Sequence, residues 1–171
     1  MSGFRSKAQV GMALAALLCA ACRASPPACP EGFARDEART AEVVELLRAD
    51  PEARGLIPDQ GLRGVCYAAA GEGQVAPGPV LLLSSKAPER DSAARAAHLL
   101  LHEREGLVRA VEAGGCGEAG LARVRAAEER AWALEGRVRR RLGLPERPSE
   151  LERIMGQYEA RCADLARKDA R

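Results

Sequence analysis

His98 and His102 are the only histidines in the 171-residue chain. They stand in Ala96-Ala97-His98-Leu99-Leu100-Leu101-His102-Glu103, and a helix over this run places both imidazoles on one face at the spacing of paired metal ligands. A hydrolytic metal site on this spacing needs a carboxylate between the ligands to take the proton from a metal-bound water. Leu99 occupies that place. Glu103 follows the second histidine, but it faces away from the shared edge and is a poor substitute base. The chain thus offers ligands and no catalytic residue.

A metal ion needs more than two imidazoles. Glu128, in Ala127-Glu128-Glu129-Arg130-Ala131-Trp132, falls between Leu121 and Val124 on the apolar side of its helix, whereas Glu129 points outward. A carboxylate on an apolar stripe requires a partner, because burying it unpaired is costly. The competing reading makes His98 and His102 part of a polar helix edge with Asp91, Arg95 and Glu105 as charge partners. Arg95, one turn before His98, disfavours a dication there.

The helix that carries the histidines is expected from Asp91 or Ser92, as its cap, to about Ala113, ending at Gly114-Gly115. Ala93, Ala97, Leu100, Leu101, Val108 and Val111 form its core face, with both histidines on the flank beside Asp91, Arg95, Glu105 and Arg109. A helix from about Asp36 to Ala49 precedes it, stopped by Pro51. Two follow, from about Glu118 to Leu142 and from about Ser149 onward. Gly64 to Ala70 and Val80 to Ser84 read as two short strands joined by the Gly- and Pro-rich segment 71–79, most simply an antiparallel hairpin. The expected class is α+β, mainly helical, with a small antiparallel β-hairpin packed on a four-helix core.

The first residues read as an export signal. Arg5 and Lys7 form a positive n-region, Val10 to Leu18 an apolar h-region, and Ala20-Ala21 a small-residue cleavage site. The apolar stretch is short of the roughly 20 residues that a spanning helix needs. Leu18-Cys19-Ala20-Ala21-Cys22 resembles a bacterial lipoprotein box, which implies acylation of Cys22. It departs from that pattern in having Cys19 where Leu is usual. The implied organisation is a signal peptide at 1–21, a lipidated N-terminus and tether at 22–35, and one domain at 36–171. The implied location is a membrane-anchored cell envelope. Cleavage before a soluble secreted or periplasmic form is the alternative.

Export is consistent with cysteine usage. Cys29, Cys66, Cys116 and Cys162 can form two disulfides in an oxidising compartment, and none of these belongs to a C-x-x-C pair. If the last two helices form an antiparallel pair turning near Pro145, Cys116 lies about 40 Å from the turn and Cys162 about 20 Å. A straight histidine helix similarly separates Cys66 from Cys116 by roughly 33 Å. These lengths favour Cys29–Cys116 with Cys66–Cys162.

The chain holds 26 basic and 24 acidic residues; loss of Arg5 and Lys7 with the signal balances them, 24 against 24. That balance gives no electrostatic reason to expect nucleic-acid binding, and Arg139-Arg140-Arg141 fits a helix C-terminus.

The order of elements resembles small gluzincin-type metallopeptidases: a strand, a zinc helix with His-Glu-x-x-His, then a later helix supplying Glu in a Glu-x-x-Ala setting. The resemblance covers roughly residues 64–135 and implies His98, His102 and Glu128 as metal ligands, with Ala131 completing the second motif. Leu99 breaks the most diagnostic position, so the implied scaffold is degenerate and its cofactor either none or zinc. No Gly-x-Ser-x-Gly elbow, Walker loop or dinucleotide fingerprint is present, and Gly71-Glu72-Gly73 reads as a turn. Three functions remain open: a non-catalytic envelope lipoprotein that binds an envelope protein partner or serves structure, a zinc-dependent hydrolase, and a disulfide-stapled helical module unrelated to peptidases.

Overall fold

The computed structural model describes residues 28–169, apart from 59–61, 63, 70–73, 77–79, 107–110 and 112–114. The signal peptide, Cys22 and Arg109 lie outside the described residues. Helices α1 (Glu37–Arg48) and α2 (Pro51–Arg54) precede strands β1 (Val65–Ala68), β2 (Gln74–Ala76) and β3 (Val80–Ser84). Helices α3 (Glu89–Glu105), α4 (Glu118–Arg141) and α5 (Leu151–Asp169) follow. Among the described residues no helix is long and apolar enough to cross a membrane.

The helices begin and end where local chemistry dictates. Asp36 caps α1 by accepting a hydrogen bond from the Arg39 amide at 2.9 Å, which satisfies a free first-turn N–H. Asp50 does the same for α2, whose first residue is Pro51. Helix α3 ends at Gly106 with φ +63°, a left-handed conformation that favours glycine. It starts at Glu89 after Pro88, two residues before the expected cap.

The sheet corrects the expected hairpin. Its order is β1-β3-β2; β1 pairs with β3 in parallel, Val65 opposite Leu81, while β2 pairs with β3 antiparallel. The antiparallel partner of β3 lies inside the segment assigned to the turn. The parallel pair is written in its hydrophobicity, because Val65-Cys66-Tyr67 and Val80-Leu81-Leu82-Leu83 are apolar on both faces, the pattern of strands covered on two sides. Val65, Tyr67, Leu81 and Leu83 join the main core with α1, α3 and α4. Cys66, Val80 and Leu82 form the other face, covered by Cys29 and Phe33.

Two disulfides are present, Cys29–Cys66 and Cys116–Cys162. The expected pairing, Cys29–Cys116 with Cys66–Cys162, is therefore overturned. The length argument fails because residues 142–150 make no tight turn. The Leu144 amide donates to the Arg139 carbonyl, and Arg139 Nε donates to the Pro145 carbonyl at 2.8 Å, so the connection folds back along the end of α4. Glu152, at the start of α5, consequently meets Arg125 rather than the last turn of α4. From there Cys116 and Cys162 lie nine and ten residues away, about 14 and 15 Å of helix, and they meet.

Candidate functional site

Three helices bring the polar residues together. Helix α3 supplies His98 and His102 one turn apart, and α4 supplies Glu128, Trp132 and Glu135 at successive turns of one face. Helix α5 supplies Tyr158. These positions lie among alanines (Ala93, Ala97, Ala127, Ala131) that are nearly or fully buried, and small side chains allow α3 and α4 to approach closely. His98 is 2 % exposed and Glu128 and Glu135 are 1 % exposed each, so His98 is buried rather than on a solvated flank, while His102 is partly exposed.

The Glu128 carboxylate lies between the two imidazoles. Its Oε1 is 3.2 Å from Nε2 of His102, and its Oε2 is 3.5 Å from Nε2 of His98. The Tyr158 hydroxyl donates to Glu128 Oε1 at 3.3 Å and lies 2.9 Å from His102 Nε2. A tyrosine hydroxyl has one proton; with that proton directed at Glu128 its oxygen is free to accept from His102 Nε2, and with it directed at His102 the ring nitrogen is the acceptor. On the far side of His98, Nδ1 is 3.3 Å from Glu135 Oε2. The proton of His98 therefore faces a carboxylate whichever ring nitrogen carries it.

Arg95 closes the outer end, with Nη1 3.3 Å from Glu135 and its guanidinium over the Trp132 ring at 5.7 Å. Trp132 also meets His98 edge to face at 4.8 Å. Asp91 and Glu105, expected beside the histidines, pair instead with Arg139 and Arg130.

Burial alone would raise the Glu128 carboxyl, but hydrogen bonding and charge from His102 and His98 outweigh it and hold the group at about 2. Burial likewise opposes ionisation of Glu135, and His98 and Arg95 outweigh it to lower that carboxyl. The Tyr158 hydroxyl is pushed up by burial and by the Glu128 charge, which keeps it a donor.

Satisfaction of the network is incomplete. His98 Nδ1, His102 Nδ1, Glu128 Oε2, Trp132 Nε1 and Glu135 Oε1 are buried without an aligned hydrogen bond. The contacts of His98 with its carboxylates are thus close approaches rather than well-directed hydrogen bonds.

The three sequence-predicted metal ligands do converge, but through the carboxylate, one oxygen toward each ring. Among the described residues no group of three or more His, Cys, Asp or Glu side chains is arranged to hold a metal ion. Leu99 is 4 % exposed and belongs to the main core. Glu135 and Tyr158 were not anticipated. Glu135 was detectable as the next buried-face position two turns beyond Glu128, whereas Tyr158 was indistinguishable from its apolar stripe. A surface cleft near the start of α4, bordered by Glu105, Arg123 and Arg130, includes none of these network residues. No protein family matches the chain, and neither a curated protein nor a solved structure does.

Proposed function

We propose that this chain is an exported, lipid-anchored envelope protein whose domain is non-catalytic and serves binding or structure. In this reading a metallopeptidase-like helix pair has lost its base, and its ligand set has become a buried polar clamp. The carrying observation is the position of Glu128, which offers one oxygen to each imidazole while Tyr158 bonds to the same oxygen as His102. Carboxylate and phenol together occupy the space between the two rings, where an ion bound to both Nε2 atoms would have to sit. The burial of Leu99 in the aliphatic core supports the same reading, because a glutamate there would point away from water.

Export is supported by the n-region, h-region and Ala20-Ala21-Cys22 of the sequence, and by the pairing of all four remaining cysteines, as expected for an oxidising compartment. Labelled palmitate should enter the wild type and not Cys22→Ala; equal labelling of both would reject the anchor.

A zinc-dependent hydrolase retaining His98, His102 and Glu128 is the second reading, favoured by the convergence of those three residues. The two separate in one assay. The oxidised protein, supplied with stoichiometric zinc, should cleave no peptide from a mixed-sequence library, whereas zinc-dependent cleavage abolished in Glu128→Ala would establish the hydrolase.

A further inference from the structure

Helix α5 is attached to the rest of the molecule differently from the other long helices. Its buried residues Met155, Tyr158 and Cys162 form a cluster with Val111, Val124 and Ala127 that is separate from the main core. Leu121, Leu151, Ile154 and Leu165 pack against this cluster, and further ties of α5 include the exposed Arg125–Glu152 pair, the Tyr158–Glu128 hydrogen bond and the bond from Cys162 to Cys116 just before α4. Tyr158 and Cys162 are four residues apart, one helical turn, so the disulfide fixes the same face that places the phenol over His102 and Glu128. His102 is partly exposed at this edge, with a side-chain exposure of 16 %, while His98 lies deeper under α4 at 2 %.

We propose that α5 is a lid over the His–Glu network, latched by Cys116–Cys162 and released when a dithiol reductant cleaves that bond. Two electrons and two protons pass from the dithiol to the disulfide. The S–S bond breaks, two protein thiols form, and the reductant closes its own disulfide. Cys162 is 9 % exposed and its partner Cys116 is partly exposed, as is Cys29 of the other disulfide, so a reductant reaches the latch through Cys116. With the bond open, the connection at 142–150, the Arg125–Glu152 pair, the Tyr158 contacts and the apolar cluster remain to dock the helix; without the covalent latch α5 swings away while α3, α4 and the sheet stay packed. His102 and Glu128 then face solvent. This rests on the reading of the domain as a non-catalytic module whose His–Glu network is a buried clamp.

The two histidines make the lid measurable with diethyl pyrocarbonate, which acylates accessible imidazoles, followed by peptide mass analysis of the full chain. In the oxidised wild type both rings should label slowly. In Cys116→Ala/Cys162→Ala, His102 should label about tenfold faster or more while His98 stays protected. Should that variant fail to fold, the wild type in graded dithiol gives the same readout as the latch opens. An unchanged His102 rate after the latch is open overturns the proposal. So does labelling of both rings at the rate of the denatured chain, because that is general unfolding and not a lid. A peptidase assay on the same samples bears on the non-catalytic reading alone, so the two can fail separately.

Discussion

Glu128 Oε1 lies 3.2 Å from His102 Nε2, both within a network whose carboxylate is 1 % exposed. A carboxylate so placed is tolerated only because its partners are in position. Removing it in Glu128→Ala leaves two imidazoles and a phenol facing an apolar gap, and should cost about 3–5 kcal/mol. Glu128→Gln keeps the shape but turns an amide NH2 toward one N–H donor, and should cost about 1–3 kcal/mol. Urea denaturation measures both, and a loss below about 1 kcal/mol for the alanine variant would mean that the clamp carries no stability.

The same pair sets an acid response. Glu128 is held at about 2, below the ordinary glutamate value of 4.5. A group whose folded value is depressed stabilises the fold fully above the unfolded value and progressively less as pH falls toward the folded one. The contribution, about 3 kcal/mol, should therefore be present at pH 5 and above and fade between about pH 4.5 and 2. Melting temperatures measured across this window should drop, and the drop should be smaller in Glu128→Gln. Equal slopes for the two proteins would remove Glu128 as the cause.

Leu99 stands where a hydrolytic site would carry its base, yet its side chain belongs to the aliphatic core. Leu99→Glu should therefore lower stability by about 3 kcal/mol or more and create no peptidase, since the new carboxylate is buried without a partner. Calorimetry and a peptide-cleavage assay on the same preparation check this. A stable, zinc-dependent Leu99→Glu peptidase would show that position 99 reaches the network.

Where the long helices begin was mostly legible because apolar spacing acts over a few residues. Asp36 at the start of α1 and the Glu118 start of α4 are examples. But the histidine helix ends at Glu105 rather than near Ala113, and the short helix Pro51–Arg54 was not expected. Glu128 was legible at a buried periodic position and His98 and His102 as a pair at helical spacing, but both histidines read as a flank, whereas His98 is buried. The sheet topology was not legible. β2 is three residues long in a Gly- and Pro-rich segment, and its pairing with β3 is set by tertiary contacts with the rest of the sheet. Nor was the disulfide pairing, because it depends on how far residues 142–150 retreat along α4, which is fixed by Arg139 reaching Pro145 rather than by any local pattern. Tyr158 was hidden for the same reason: which face of α4 it meets follows from where α5 begins.

Gly120 supplies a test of the join between the latch and α4. A Cβ built on it would lie 1.9 Å from the carbonyl oxygen of Gly115, a backbone atom that cannot swing aside. Gly120→Ala should destabilise by about 1–3 kcal/mol despite the better helix propensity of alanine. Because Gly115 adjoins Cys116, the variant should also make the Cys116–Cys162 bond easier to reduce. Thermal melts and dithiol titration test the two effects; a stabilised variant would place residue 115 farther from α4.

The most direct test of the clamp is 15N NMR of the two histidines in the oxidised protein, recorded before and after stoichiometric zinc. Zinc should leave the Nε2 signals of both rings unchanged, whereas Tyr158→Phe should shift that of His102, which loses its 2.9 Å contact with the phenol. One zinc bound per chain, together with shifts at both Nε2 atoms, would show that His98, His102 and Glu128 hold an ion, contradicting the carboxylate clamp.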